Sequence, residues 1–195
     1  MKRIILASRS PRRKQLLESI GLKFKVVVSN IDEKLIVEKN PQKLAEKLSR
    51  QKANAILKKY KNAIVIAADS IVVQNKEIIG KPTSEKNASE ILQKLSGRKH
   101  TVITGFTVLD TKTKKSVTRS VISKVYFKKL TKEEIEVYVK TGKLMDKAGA
   151  YGIQDKAGVF IEKVEGDFFN VVGLPIFAVC KTLQEFGINI SSHWK

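Results

Sequence analysis

The sequence predicts an α/β (α+β) fold. The chain begins with a short apolar strand, Ile4–Ala7, followed by a tight polar turn and a helical apolar pattern. Residues 63–68 form a short apolar run rich in β-branched residues, which predicts a central strand buried on both faces. Residues 100–109 and 116–127 read as two long strands joined by a turn, which predicts an antiparallel pair. Strands that alternate with helices before such a pair are typical of this class.

Local signals place the other elements in order. Gly21 ends the first helix, and residues 23–29 are predicted to form a strand. Asn40-Pro41 opens the second helix, because asparagine caps helices and proline suits the first helical position. A third helix is predicted over residues 84–95.

The second half of the chain ends in two more predicted helices. A capping box over residues 131–134 opens a helix that Gly142 closes. Residues 143–173 are glycine-rich and irregular, and the last helix opens at Gly173-Leu174-Pro175. The tail, residues 188–195, carries no predicted role.

The composition describes a basic chain with ample material for a core. A length of 195 residues with 42% hydrophobic residues suits one large domain or two small ones. The 38 basic and 19 acidic residues give a net charge of +19, which suits nucleic acid, nucleotides or an anionic surface as partners. The lysines are spread along the whole chain, however, and this favours a solvated surface over a binding stripe.

The cysteine content and the apolar runs indicate a cytoplasmic protein. Cys180 is the one cysteine, so it cannot form an internal disulfide, and its apolar helical pattern predicts a small buried residue rather than a nucleophile. No apolar run approaches the about 20 residues that a membrane span needs. The apolar part of the N-terminal segment is too short for a signal peptide. We therefore expect a soluble protein that does not associate with membranes.

The turn after the first strand carries anion-binding chemistry. Ser10 can cap the helix, and Pro11 stands at the first helical position. The free N–H groups of a helix start attract anions, and Ser8, Arg12 and Arg13 add a hydroxyl and two forked cations. The residues predict a phosphate cradle, with a capped helix and two solvated arginines as the alternative.

A carboxylate directly follows the central strand. Ligands of open α/β sheets bind at the carboxyl ends of strands, and a carboxylate there is costly unless it is paired or meets a metal. Asp69 is therefore predicted to be a catalytic or metal-binding residue, and a strand cap is the alternative.

One lysine falls inside the apolar stripe of the second helix. Lys52 lies four residues after Leu48. Such a side chain either snorkels to solvent or points into a polar site, and snorkelling is the expectation from the residues alone.

Other charged residues also fall at turns or element ends. Asp32, Glu33 and Lys81 join the residues above in a set suited to phosphoryl chemistry, where cations bind a polyphosphate and carboxylates hold Mg²⁺. A carboxylate near the α-phosphate could also orient or deprotonate a water. The chain has no P-loop pattern, and its two histidines are isolated, so His100 is predicted to be structural.

Seven motifs occur in an order similar to that found in the sequences of a known family. They are residues 6–13 (LASRSPRR), 32–33 (DE), 67–70 (AADS), 80–82 (GKP), 96–100 (SGRKH), 146–154 (DKAGAYGIQ) and 171–175 (VVGLP). The chain thereby resembles the Maf family of nucleoside triphosphate pyrophosphatases over nearly its whole length. The resemblance implies a single Maf-like domain over residues 1–195, with two lobes around a central cleft. It also implies an elongated, mixed, twisted sheet flanked by helices, similar to that of the inosine triphosphatases.

The resemblance implies hydrolysis of a nucleoside triphosphate to the monophosphate and pyrophosphate with a divalent metal cation, Mg²⁺ or Mn²⁺. Asp69 matches the family's proposed proton acceptor, and Asp69 and Glu33 are implied as catalytic and metal-binding residues. The implied substrate-binding residues are Ser8, Arg12, Arg13, Lys52, Ser70, Lys81 and Gln154. Family members are typically dimers, so we expect a homodimer.

The loop Tyr151–Gln154 resembles the subgroup that prefers dTTP and UTP, whereas a sister subgroup acts on 7-methyl-GTP. Arg12, Ser70 and Gln154 fall at the positions tied to this choice. An amide both donates and accepts hydrogen bonds, so Gln154 can match a pyrimidine edge. Ser70 replaces the family's usual threonine and keeps the hydroxyl while losing the methyl group.

Two other functions stay open at this point. House-cleaning of modified pyrimidine nucleotides would use every residue named above. A nucleic-acid-binding or septum-inhibiting interaction protein would instead use the basic surface. Aromatic residues are only 7% of the chain and do not alternate with basic ones, so we expect no nucleic-acid binding beyond nonspecific attraction.

Overall fold

The computed structural model describes residues 2–57, 59–142 and 144–194, except for the side chain of Lys34. The strands are β1 (Arg3–Leu6), β2 (Lys25–Val26), β3 (Ala63–Gln74), β4 (Glu77–Ile79), β5 (Lys99–Asp110), β6 (Ser116–Phe127) and β7 (Ile161–Glu165). The α-helices are α1 (Pro11–Ser19), α2 (Pro41–Leu57), α3 (Glu85–Leu95), α4 (Lys132–Val139), α5 (Phe168–Val172) and α6 (Ile176–Gln184). Short 3-10 helices cover Glu33–Leu35, Ala148–Ala150, Lys156–Phe160 and Ile190–His193.

The strands form a mixed sheet, which confirms the predicted class. Hydrogen bonds join them in the order β2-β1-β3-β5-β6-β7, and β4 pairs with β3. Strand β1 runs parallel to β2 and β3, with Leu6 opposite Val26 and Ile66. Strand β4 runs antiparallel to β3, and strand β7 runs antiparallel to β6. The five-residue turn between the neighbouring strands β5 and β6 makes them the expected antiparallel pair.

The chain divides into two compact units. Unit 1 comprises Met1–Asp69, Thr104–Val121 and Gly173–Lys195. Unit 2 comprises Ser70–Ile103 and Ile122–Val172. Each unit has its own apolar core.

In unit 1, helix α2 lies directly on the sheet. Ala53 and Ile56 are fully buried in a cluster with Ile5 and Val65 of the strands. A buried hydroxyl pair, Ser49 Oγ and Thr107 Oγ1 at 2.9 Å, adds a polar contact between α2 and β5. Helix α2 is therefore a firm support for the side chains on its face.

In unit 2, helices α3 and α4 share an apolar core with several aromatic residues. Leu92 and Leu95 of α3 are fully buried in the same core as Ile135 of α4. His100 and Phe127 pack edge to face, with ring centroids 5.0 Å apart. The predicted capping box opens α4 as expected.

Four local predictions were wrong. The glycine-rich stretch 143–173 is not irregular throughout, because it contains β7 and α5. The strand predicted over residues 23–29 is reduced to Lys25–Val26. Strand β3 does not end before Asp69 but continues to Gln74. The tail packs on unit 1, because Ile188 and Ile190 are buried and Trp194 Nε1 donates a hydrogen bond to the Ile20 carbonyl oxygen at 2.7 Å.

Candidate active site

The carboxyl ends of the parallel segments of β1 and β3 carry two of the predicted residues. The paired stretch ends at Leu6 and Ile66, and the Ala7 N–H still donates to the Ile66 carbonyl oxygen at 2.8 Å. Ser8 follows two residues after Leu6, and Asp69 follows three residues after Ile66. Asp69 is a residue within a strand, so the alternative of a strand cap is wrong.

Arg13 is held at the start of α1 by two hydrogen bonds. Its Nε donates to the Gly173 carbonyl oxygen at 2.7 Å, and its Nη1 donates to Ser8 Oγ at 3.2 Å. The two hydrogen bonds thereby fix the guanidinium group in the first turn of the helix. The Gly173 contact joins positions 160 residues apart, which a local pattern cannot reveal.

Ser10 and Pro11 take the predicted positions at the start of α1. Ser10 is the N-cap residue and Pro11 follows in the first turn, but the Ser10 side chain makes no capping bond. Its backbone N–H instead donates to Ser8 Oγ at 3.2 Å. The buried hydroxyl of Ser8 thus stabilises the turn before α1, a role that the sequence analysis gave to Ser10 as the helix cap.

Lys52 is buried and paired with two carboxylates. Its Nζ forms an ion pair with Glu33 Oε1 at 2.8 Å and a second, short ion pair with Asp69 Oδ1. The Lys52 side chain is 11% exposed, compared with 14% for Asp69 and 48% for Glu33. The snorkelling expectation is therefore wrong, since the apolar stripe of α2 carries this side chain into a polar cluster.

Charges of both signs act on Arg13. Burial lowers the pKa of the Arg13 guanidinium from its ordinary value, the Asp69 carboxylate raises it, Arg12 lowers it and Glu33 raises it. Arg13 therefore lies within electrostatic reach of both carboxylates that contact Lys52. Ser8, Arg13, Glu33, Lys52 and Asp69 together form what we call the unit 1 cluster.

The remaining predicted residues lie in unit 2, apart from Arg12. Arg12 is half-buried beside Arg13 on α1, Ser70 is half-buried, and Lys81 and Gln154 are exposed. The Gly149 N–H donates to the Gly80 carbonyl oxygen at 3.0 Å, so the turn that carries Lys81 contacts the glycine-rich segment.

Asp155, the neighbour of Gln154, holds the loop that carries this glutamine. Its Oδ1 accepts hydrogen bonds from the Ala157 N–H at 3.1 Å and from the Tyr138 hydroxyl at 3.2 Å. Its Oδ2 lies 3.6 Å from Nζ of the buried Lys147. The sequence analysis gave no role to Asp155 or Lys147, although Lys147 stands within the 146–154 motif.

His100 and Cys180 take structural positions. His100 is buried, and its Nε2 lies 2.7 Å from the Tyr151 hydroxyl. Burial lowers the pKa of His100 to about 4, and burial raises the pKa of the Cys180 thiol. Cys180 is half-buried rather than fully buried. Both groups are neutral near pH 7, and this agrees with the structural role predicted for His100.

A strand–turn–helix segment that offers cations and a hydroxyl beside carboxylates is typical of α/β proteins that bind phosphorylated ligands. The family model described as "Maf-like protein" matches residues 3–186. The chain therefore belongs to the Maf family.

Curated relatives match almost the whole chain. The dTTP/UTP pyrophosphatase of Alkaliphilus metalliredigens (strain QYMF) is 50% identical over 97% of this chain and 100% of its own length. That of Alkaliphilus oremlandii (strain OhILAs) is 48% identical with the same coverage. That of Dictyoglomus thermophilum (strain ATCC 35947 / DSM 3960 / H-6-12) is 47% identical over 97% of this chain and 98% of its own. None of these names supports the nucleic-acid-binding or septum-inhibiting alternative.

Among solved structures, the Staphylococcus aureus Ham1 protein aligns with 65% of this chain and 72% of its own, at 16% identity. The TM-score of this alignment is 0.42. Within the described part of the chain, no helix is long and apolar enough to cross a membrane.

Proposed function

We propose that this protein is a nucleoside triphosphate pyrophosphatase that hydrolyses dTTP and UTP to the monophosphate and pyrophosphate. Family membership and the names of relatives at 47–50% identity support this activity. The observation that carries the proposal is the unit 1 cluster, in which Lys52 contacts Asp69 and Glu33 while Arg13 lies within electrostatic reach of both carboxylates.

The start of α1 binds phosphate oxygens in this proposal. Arg13 is already fixed by Ser8 and by the Gly173 carbonyl oxygen, so little side-chain freedom is lost on binding. Arg12 and the N–H groups of the first turn add positive charge. Lys52 and Lys81 are further cations for the triphosphate.

The carboxylates of Asp69 and Glu33 fit a divalent metal ion. Both contact the same ammonium nitrogen, so both reach one point where a cation is held. No group of three His, Cys, Asp or Glu side chains suited to a metal occurs among the described residues. Two carboxylates are nevertheless enough, because Mg²⁺ commonly takes one or two carboxylates together with waters and substrate phosphates. Bound Mg²⁺ or Mn²⁺ would offset charge on the phosphoryl oxygens.

The reaction is hydrolysis at the α-phosphorus. The oxygen of a water forms a bond to this phosphorus, and the bond from the phosphorus to the oxygen bridging the α- and β-phosphates breaks. Pyrophosphate leaves with the electron pair of that bond. Asp69 accepts the proton of the water at a carboxylate oxygen, and Arg13 and Lys52 stabilise the charge on the leaving group.

We assign the selection of the substrate's nucleobase to Gln154, together with Arg12 and Ser70. An amide can donate to and accept from a pyrimidine edge. House-cleaning of modified pyrimidine nucleotides is included in the proposal, because it needs the same catalytic residues. We further assign the protein to the cytoplasm as a homodimer, which cell fractionation and light scattering after size exclusion test.

Pyrophosphate release from a panel of nucleotides tests the activity. The panel is dTTP, UTP, CTP, GTP, 7-methyl-GTP and ITP, each with and without Mg²⁺ or Mn²⁺. We expect metal-dependent release from dTTP and UTP. Release from 7-methyl-GTP alone would overturn the substrate assignment and keep the reaction, and no release from any nucleotide would overturn both.

Asp69→Asn tests the proposed proton acceptor. The amide keeps the size of the carboxylate and cannot accept the proton, so turnover should fall by at least about 100-fold while the fold is retained. Glu162→Gln, at an exposed position on β7, is the control and should keep full activity. Normal turnover by Asp69→Asn would refute the role of Asp69.

A further inference from the structure

We propose that the Lys52 ammonium group and a divalent cation compete for the same two carboxylates, and that a bound polyphosphate decides this competition in favour of the metal. The inference deepens the proposed function and relies on it only for the nature of the two ligands. Lys52 thereby couples the binding of metal to the binding of nucleotide, in addition to contacting the triphosphate.

The competition follows from the contacts of Lys52. Its Nζ contacts Glu33 Oε1 at 2.8 Å and also contacts Asp69 Oδ1. A divalent ion held by these two carboxylates would lie within a few ångströms of the ammonium group, and at such a distance two cations repel each other. Little water screens them, since the side chains of Lys52 and Asp69 are 11% and 14% exposed. Binding of the ion therefore requires the ammonium group to move away.

The side chain of Lys52 can move without its helix. Helix α2 is fixed to β5 by the hydroxyl pair of Ser49 and Thr107 and by the buried Ala53. The ammonium group stands at the end of a flexible four-carbon stem, so rotation of the stem is enough to change its partner. The two carboxylates lie on other segments of unit 1, in β3 and in the short helix Glu33–Leu35, and they can stay in place.

A polyphosphate offers Lys52 the alternative partner. Arg13 lies within electrostatic reach of Asp69 and Glu33, so phosphate oxygens bound at the start of α1 come close to the same carboxylates. An ammonium group that turns to a phosphate oxygen keeps an anionic partner, and it releases the carboxylates to the metal. Each ligand then favours the other, because binding free energies of coupled ligands are reciprocal.

If the ion pairs of Lys52 had a purely structural role, removal of Lys52 would change the metal affinity in the opposite direction. If Lys52 only holds Asp69 and Glu33 in position, its removal lets the two carboxylates separate, and the affinity for a metal falls. If Lys52 competes with the metal, its removal takes one positive charge away from the two carboxylates, and the affinity rises. The sign of the change in metal affinity thus separates the two roles.

Calorimetric titration with Mn²⁺ alone, without any nucleotide, tests the sign. Lys52→Met keeps the length of the side chain and removes its charge, and we expect it to bind Mn²⁺ at least tenfold more tightly than the wild-type protein does. Lys47→Met is the matched control on the same helix, because Lys47 pairs with Glu38 at 2.7 Å, and its Mn²⁺ affinity should be unchanged. Equal or weaker binding by folded Lys52→Met would overturn the proposal.

A measurement on the wild-type protein covers the case in which Lys52→Met does not fold. The ¹⁵Nζ resonance of Lys52 reports the partners of the ammonium group. Titration with Mg²⁺ should shift this resonance in step with metal binding. A resonance that stays constant while Mg²⁺ binds would show that the ammonium group keeps its partners, and this would refute the competition.

The coupling is tested with a dUTP analogue whose α,β-bridging oxygen is replaced by an imido group. The analogue should raise the Mn²⁺ affinity of the wild-type protein by a larger factor than that of Lys52→Met. Chelation of Mn²⁺ by the analogue in solution is common to both titrations and cancels in the comparison. Equal factors would refute the coupling. The Mn²⁺ titration needs no catalysis, so this inference and the proposed activity can fail separately.

Discussion

The backbone of Gly105 lies directly against that of Ala45. A Cβ atom on Gly105 would stand 2.3 Å from the Ala45 carbonyl carbon and 2.4 Å from its oxygen. Gly105 lies in β5 and Ala45 lies in α2, so the helix meets the sheet at a point where no side chain fits. This close approach sets the height of α2 above the sheet, and α2 carries Lys52.

Gly105→Ala should therefore destabilise the protein. The clash is with backbone, which cannot rotate away, so α2 must shift, and overpacking of this kind costs about 1–3 kcal/mol. Urea unfolding should show a lower midpoint for the variant. Gly80→Ala is the control, because a Cβ there meets nothing within 4 Å, and it should leave the stability equal or slightly raised. A Gly105→Ala protein as stable as Gly80→Ala would contradict the close approach.

A fall in pH should lower the free energy of unfolding because of the buried His100. Burial lowers the pKa of this histidine to about 4 from an ordinary value of 6.5. Below pH 6.5 the unfolded chain takes up a proton at His100 that the folded chain refuses until the pH approaches 4. The free energy of unfolding should therefore fall by up to about 3 kcal/mol across that window, with no further loss from this group below it.

Urea unfolding of the wild-type protein and of His100→Gln between about pH 7 and pH 4 isolates this contribution. The variant loses the ring contacts with Phe127 and Tyr151, so its stability at neutral pH is lower. The informative quantity is the slope of the free energy of unfolding against pH, because the two proteins share every other titrating group. The difference in stability should shrink as the pH falls, and parallel curves would contradict the prediction.

Local signals were sufficient where the partner of a residue lies nearby in sequence. The capping box of Thr131 and Glu134 and the cap of Asn40, whose Oδ1 accepts from the Lys43 N–H at 3.1 Å, set helix starts through contacts within one turn. The class of the fold and the cationic turn at α1 followed from such signals.

Predictions from local pattern failed where the deciding contact is distant. The sequence of α2 predicts that Lys52 snorkels to solvent. Its partner Asp69 lies 17 residues further along the chain, so the apolar pattern of the helix does not indicate this contact. Strand β3 continues through Asp69, although aspartate is a poor strand former, since Lys52 pairs with the carboxylate. The Trp194 contact with Ile20 spans 174 residues, so the role of the tail could not be predicted.

Gln154→Glu should change the base preference if Gln154 contacts the base as proposed. Glutamate keeps an acceptor oxygen but loses the two N–H donors of the amide, so it can form fewer hydrogen bonds with a pyrimidine edge. The ratio of activities on dTTP and 7-methyl-GTP should fall. An unchanged ratio at normal total activity would show that another residue selects the base.

Asp155 should control specificity through its hold on the Gln154 loop. Its carboxylate accepts from the Ala157 N–H and from the Tyr138 hydroxyl and faces Lys147 Nζ. A Cβ atom on Gly152 would stand 2.5 Å from Asp155 Oδ2, so the loop is closely packed around this side chain. Loss of the carboxylate leaves the loop free to adopt several positions, and the glutamine is then seldom placed to meet a base.

Asp155→Ala should therefore raise the KM for dTTP and UTP by about tenfold, the equivalent of about 1.4 kcal/mol, while kcat changes little. Tyr138→Phe removes one hydrogen bond of the same carboxylate and should have a smaller effect in the same direction. Thermal unfolding identifies variants that lose the fold. Since a general loss of structure would lower kcat for all nucleotides alike, a fall in kcat with KM unchanged would count against a positioning role. A rise in KM confined to the preferred bases supports that role, because only the group that selects the base has been released.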